Sequence, residues 1–306
     1  MAVVCRIAMV LAIAPGLATW AQDVDCSALE SRARSLMQTR DYQTAVQRFQ
    51  EAVASCPGQR SLRLGLAQAY LMGQRVKDAL AESEAILREY PDEPAALKIR
   101  GNAAYLASDF TMAKDTFIRL LDRHPTDEEG AYMLGRIYYQ EGNIDLAIGQ
   151  FQRVRKINPG HYKALDNLGL CYQAQGDEEA ARRYFLAAIK LVEKDHPDYE
   201  WPYTNLADLL LKSGDAQRAF DAASKAANRN PQSARSFYIG AKALDQLGKP
   251  ELALNWLERA VSLNAASSES WYLLARIYRK LQQNDKAEEA QEKFRELKAR
   301  EPAQRR

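Results

Sequence analysis

The sequence is poor in the residues that build β-sheets' many turns and in any one sign of charge. Among 306 residues, 11 are Pro and 15 are Gly, few for an all-β protein. Lys plus Arg number 42 and Asp plus Glu 40, a net charge of +2, so the strong basic excess typical of a nucleic-acid binder is missing. Histidine is scarce: His124, His161 and His196 are the only ones, with no HExxH or paired-cysteine motif to hold a metal. The glycines stand singly, which removes a phosphate-cradling loop. Acidic clusters such as Asp127-Glu128-Glu129 and Glu288-Glu289 read as solvated turns and helix faces rather than catalytic carboxylates. The expectation is a non-enzyme without metal or cofactor. The apolar run Ile7–Leu17 is shorter than the roughly 20 residues a spanning helix takes.

That run has a different meaning. One positive charge precedes it, and Thr19-Trp20-Ala21 offers small residues at a cleavage point. The layout predicts a secretory signal peptide over 1–21, cut after Ala21, and hence an exported protein, periplasmic or secreted. An uncleaved anchor or a buried first helix is the alternative. Asp23-Val24-Asp25 argues against a lipid anchor on Cys26. With Cys5 removed, Cys26, Cys56 and Cys171 remain, an odd number.

What the sequence does contain is a repeat. Ala45, Ala79, Ala113, Ala147 and Ala181 fall 34 residues apart, and Ala219, Ala253 and Ala287 continue after one step of 38. A parallel track holds only small residues: Ala33, Ala67, Gly101, Gly135, Gly169, Ala207, Ala241 and Ala275. Pro57, Pro91, Pro125, Pro159 and Pro231 close repeats, and Phe49, Phe117, Phe151 and Phe185 form an aromatic track. The tracks define eight repeats over 22–301: 26–59, 60–93, 94–127, 128–161, 162–195, 200–233, 234–267 and 268–301. An insertion at 196–199 follows the fifth repeat, and 302–306 form a tail.

Each repeat reads as two helices. Apolar residues recur three and four apart, as in Leu165, Leu168, Gly169, Tyr172 and again in Ala181, Phe185, Ala188, Ile189. Between them Gly142, Gly176, Gly214 and Gly248 suit the left-handed conformation past a helix end. Asp41, Asp109, Asn143, Asp177 and Asp215 follow as expected N-caps.

On these residues the chain resembles the tetratricopeptide repeat family. The fourth repeat carries Leu134-Gly135, Tyr138, Ala147, Phe151 and Pro159; the eighth carries Trp271, Leu274-Ala275, Tyr278 and Ala287. The first departs at Arg32 and the seventh at Gly240-Ala241. The resemblance implies an all-α fold, an α-solenoid wound as a right-handed superhelix of helix–turn–helix units. It also implies that the first helix of each repeat lines a concave groove. The positions exposed there include Lys98, Asn102, Tyr105, Tyr132, Arg136, Tyr139, Lys163, Trp201, Asp208, Arg235, Tyr238, Lys242, Tyr272, Arg276 and Arg279, residue types that favour binding hot spots. Asn167 and Asn205 occupy an inner position that in some relatives belongs to a carboxylate clamp. Their flanking residues do not match that clamp, and the pair resembles only faintly the Asn ladder of glycosyltransferase repeats.

The implied function is a non-catalytic protein- or peptide-binding scaffold or assembly adaptor, with the ligand in the groove and no nucleic acid. The alternative is an envelope glycan-binding or polysaccharide-export accessory protein, since Tyr and Trp also stack on sugars. Only 302–306 follow the eighth repeat, which leaves no room here for a catalytic domain. Finally, Cys26 opens the first helix and Cys56 closes the second, so antiparallel packing is expected to place them side by side as a disulfide. Cys171 is expected to stay reduced inside a first helix.

Overall fold

The computed structural model describes residues 25–300. The expected signal peptide, 1–21, and the tail 302–306 lie outside the described residues. Among the described residues there are sixteen helices and no strand. They come in pairs: α1 (Cys26–Gln38) with α2 (Tyr42–Ser55), α3 (Arg60–Met72) with α4 (Val76–Glu89), α5 (Pro94–Leu106) with α6 (Phe110–Arg123), and α7 (Glu128–Gln140) with α8 (Ile144–Ile157). Then follow α9 (Tyr162–Ala174) with α10 (Glu178–Asp195), α11 (Trp201–Lys212) with α12 (Ala216–Arg229), α13 (Ala234–Gln246) with α14 (Pro250–Leu263), and α15 (Ser268–Lys280) with α16 (Asn284–Arg300). The helices divide into two compact bodies, with the boundary after Ala103 inside α5.

The small-residue tracks are the places of closest approach. Ala45, Ala79, Ala113, Ala147, Ala181, Ala219, Ala253 and Ala287 are all buried, as are Phe49, Phe117, Phe151 and Phe185. A small residue and a ring make one joint. A Cβ on Gly135 would meet Phe151 at 2.8 Å, and one on Gly169 would meet Phe185 at 2.4 Å. The odd Gly240-Ala241 of the seventh repeat has the same explanation shifted by one residue: its ring is Trp256, and a Cβ on Gly240 would stand 2.4 Å from it.

The turn inside each pair passes through the left-handed region. Gly142, Gly176, Gly214 and Gly248 take φ of 78°, 81°, 83° and 70°. The other repeats make the same turn with Arg40, Gln74, Ser108 and Gln282, at φ of 59–62°. Asp41, Asp109, Asp177 and Asp215 then accept from a backbone N–H three residues on. Asn143 does not cap: its side-chain amide donates to Glu141 Oε2 at 3.0 Å instead.

The four-residue slip lies elsewhere than the sequence suggests. Residues 196–199 form an ordinary turn between repeats. His196 N–H donates to the Val192 carbonyl and Tyr199 N–H to the His196 carbonyl, as His124 and Asp127 do in the third repeat. The extra length is in α10, which has 18 residues where α8 and α12 have 14. Four residues are about one helical turn, so the lengthened helix keeps its buried stripe in phase.

The Cys26–Cys56 disulfide is present, with Cα atoms 6.2 Å apart, and Cys171 is free and buried. Arginines of second helices reach back to the preceding turn: Arg153 donates to the Pro125 carbonyl and Arg259 to that of Pro231.

Candidate functional site

In the second body the layers are unequal. Each of α7, α9, α11 and α13 touches the next odd-numbered helix, whereas among the described residues successive even-numbered helices do not touch. The odd layer is therefore the tighter one, and its free side is the concave face. In the first body α1 and α3 meet in the same way, and Lys98 and Asn102 lie half-buried on α5.

The face of the second body starts with a cation among phenols. Arg136 donates to the Tyr105 hydroxyl at 3.0 Å and its guanidinium lies 4.8 Å from the Tyr105 ring centre and 5.9 Å from that of Tyr132. Tyr132 leans on Phe151 and His161, and its hydroxyl accepts from Asn167 at 3.4 Å. Burial raises the Tyr132 phenol, with Arg136 opposing. Asn167 also donates to the Lys163 carbonyl at 2.7 Å, so its amide is committed locally.

The middle of the face is polar and closed. Asn205 is 5% exposed and Asp166 3% exposed, and Asn205 donates to Asp166 at 2.9 Å. Asn205 thus serves a carboxyl inside the joint between α9 and α11 instead of facing a ligand. Burial pushes Asp166 up to about 7; the Asn205 bond opposes this and Glu200 adds to it. Glu200, also buried, accepts from Asn230 at 3.0 Å, and Thr204 shares a hydrogen bond with Ser236 at 2.9 Å. Tyr162 packs against Tyr199 and His196, with Lys163 above both tyrosine rings. Trp201 stands 45% exposed.

Toward α15 the face opens into a recess of about 370 Å³ whose lining includes Asp208, Lys212, Arg235, Tyr238, Lys242 and Glu269. Burial pushes the Tyr238 phenol up to about 12, with Glu269 and Asp208 adding and Arg276 and Arg235 opposing. Tyr139 of α7 is likewise raised by burial and pulled back by Arg235. The electrostatic influence of Arg235 therefore reaches from α13 to Tyr139 on α7. Arg276 and Lys280 both bind Asp245, and Tyr272 is 48% exposed against Phe294.

His161 has a role the sequence does not announce. Its Nδ1 accepts from the Ala164 N–H at 3.0 Å and caps α9, and burial lowers its pKa.

Comparison with known proteins decides the lineage of this architecture. Models described as tetratricopeptide repeat match residues 31–94, 100–162 and 204–268, residues 161–232, and residues 256–289. The chain belongs to the tetratricopeptide repeat family. Curated relatives include Protein CTR9 homolog of Arabidopsis thaliana, 21% identical over 80% of this chain and 26% of that protein. Protein O-mannosyl-transferase TMTC1 of Homo sapiens is 27% identical over 56% of this chain and 19% of that protein. The chain thus spans about a quarter or less of these relatives. Among solved structures, a tetratricopeptide repeat protein from Parabacteroides merdae ATCC 43184 aligns with TM-score 0.64 at 18% identity, covering 82% of this chain and 98% of that one. The APC/C hetero-tetramer Cut9-Hcn1 aligns with TM-score 0.68 at 13% identity, covering 92% and 55%. Both likenesses concern the fold. No helix among the described residues is long and apolar enough to cross a membrane.

Proposed function

We propose that this tetratricopeptide repeat protein is a non-catalytic scaffold that holds a partner protein on the inner face of α7–α15, outside the cytoplasm. The observation that carries the reading is the band of half-buried tyrosines and cations, Tyr132, Arg136, Tyr139, Tyr238 and Lys242, on the free side of the odd layer. Such rings offer contact area at low entropic cost, and the cations supply directed donors. Export is supported by the layout of residues 1–21 and by a disulfide, which persists in oxidising compartments.

A photo-crosslinking residue in place of exposed Tyr272 on the inner face tests the partner. The same residue in place of exposed Leu186, on an even-numbered helix, is the control. Protein adducts from the inner position alone are expected; equal labelling from both removes the groove from the reading. Trp201 is exposed and could stack on a sugar, so polysaccharide is the competitor to add before irradiation, and its suppression of adduct formation would transfer the site to a glycan. Cell fractionation with N-terminal sequencing tests export: a mature protein starting at Gln22 in the envelope or medium is expected, and an intact Met1 in the cytoplasm refutes it.

A further inference from the structure

The charges around the α11–α13–α15 recess are unevenly matched. Asp208 is held by Lys212 at 2.7 Å and accepts from Gln173 at 3.4 Å. Asp245 is 4% exposed at its side chain and carries both Arg276 and Lys280. Two of the local carboxylates are thus already saturated. Arg235 and Lys242, by contrast, have no carboxylate within 4 Å among the described residues, although both line the recess. They sit seven residues apart on α13, about 10 Å along its axis, with Tyr238 between them and the Lys242 ammonium 5.5 Å from its ring centre. Glu269 is the one lining carboxylate with no ion pair. Farther along the same face Arg136 and Lys163 also lack a carboxylate partner, so around Tyr238 only Glu269 stands against the two free cations.

Resting on the groove reading above, we propose that this recess receives an extended acidic segment of the partner protein, with its carboxylates on Arg235 and Lys242 and its backbone against Tyr238. A basic segment would meet two uncompensated cations, and a neutral one would leave both of them partly desolvated without a counter-charge. Tyr238 lines the same recess as Arg235 and Lys242 and keeps its phenolic proton at neutral pH, so its O–H is a further donor for an anionic guest. The set differs from the basic-and-Asn clamp considered from sequence: it lies on one helix, and Asn205 is spent inside the α9–α11 joint.

Fluorescence anisotropy with three labelled peptides of about twelve residues tests this, since rim charges act through salt-dependent attraction. The peptides share Leu, Tyr and Gly positions and differ only in carrying Glu, Gln or Lys at the remaining ones. The Glu peptide is expected to bind at least about tenfold tighter than the Gln peptide, with the Lys peptide weakest, and the advantage is expected to shrink at roughly 0.5 M salt. Arg235→Gln with Lys242→Gln should equalise the Glu and Gln peptides; Arg235→Glu with Lys242→Glu should reverse the order. Arg235 is exposed and Lys242 half-buried at the rim of the recess, and circular dichroism checks that the variants fold. Wild-type protein that prefers Gln or Lys peptides overturns the acidic assignment. Tyr139→Ala with Tyr238→Ala separates the two levels. If a non-acidic peptide binds and these changes weaken it, the groove reading stands and the acidic guest falls. If no peptide binds, or binding ignores the tyrosines, both fall.

Discussion

Asp166 ionises less readily than an ordinary carboxyl because of where the chain puts it. Its carboxyl is buried between α9 and α11, with the Asn205 amide as its recorded partner and buried Glu200 close enough to oppose ionisation. A carboxyl raised from 3.8 to about 7 contributes its stability in full below the unfolded value and loses it as pH rises through about 7. The ceiling on that change is on the order of 4 kcal/mol. Asp166→Asn keeps an oxygen for Asn205 and removes the titration. Urea denaturation from acid to mildly alkaline pH should show wild type losing stability relative to the variant as pH rises. Parallel curves would mean that the carboxyl is solvated. Gly169 is the second residue whose surroundings dictate its identity. Gly169→Ala drives a methyl into the Phe185 ring and should cost about 1–3 kcal/mol. Combining it with Phe185→Leu should cost less than the sum of the single changes, because the clash disappears with the ring. Simple additivity in the denaturation midpoints would refute the joint.

Within elements, the eight internal turns carry unequal loads. Arg40, Gln74, Ser108 and Gln282 adopt a left-handed backbone that costs a residue with a Cβ about 1–2 kcal/mol. Glycine at each would relieve that strain and forfeit about 0.5–1 kcal/mol through a freer unfolded chain. The expected balance is a gain of about 0.5 kcal/mol per site, additive across the four, read from thermal midpoints. A loss at Ser108 or Gln74 would show that the side chain makes a compensating contact.

These turns also mark what the sequence makes readable. A glycine announces a left-handed residue, so Gly142, Gly176, Gly214 and Gly248 were legible, whereas nothing in an Arg or Gln does so. The Ala and Phe tracks were legible because close helix packing imposes the same steric demand every 34 residues. Asp166 and Asn205 were not, since their pairing across 39 positions exists only once α9 and α11 lie side by side. The position of the added residues was hidden for a related reason: His196-Pro197 resembles His124-Pro125, but only backbone hydrogen bonds show that both are the same turn. On the inner face, residue types were readable and their charge pairing was not. Asp245 with Arg276 and Lys280, and Asp208 with Lys212, had to be seen before Arg235 and Lys242 stood out.

At the scale of the molecule, stability within each body is local, because among the described residues each helix touches only near neighbours in sequence. The disulfide therefore supports the repeat that contains it. Its loop of 30 residues should contribute roughly 3.5–4 kcal/mol by constraining the unfolded chain. Reduction, or Cys26→Ser with Cys56→Ser, should speed amide exchange in α1 and α2 and leave α13 and α14 unchanged. Exchange that rises equally everywhere would indicate one global cooperative unit.

The lengthened α10 implies a rule for how such a chain can change size. Four added residues rotate a helix by about 400°, so the chain leaves it within about 40° of its former heading. Growth by three, four or seven residues meshes like the next tooth of a gear, whereas two or five would point the following repeat away from its neighbour. Length variation in this protein is thus quantised: it enters by the whole helical turn.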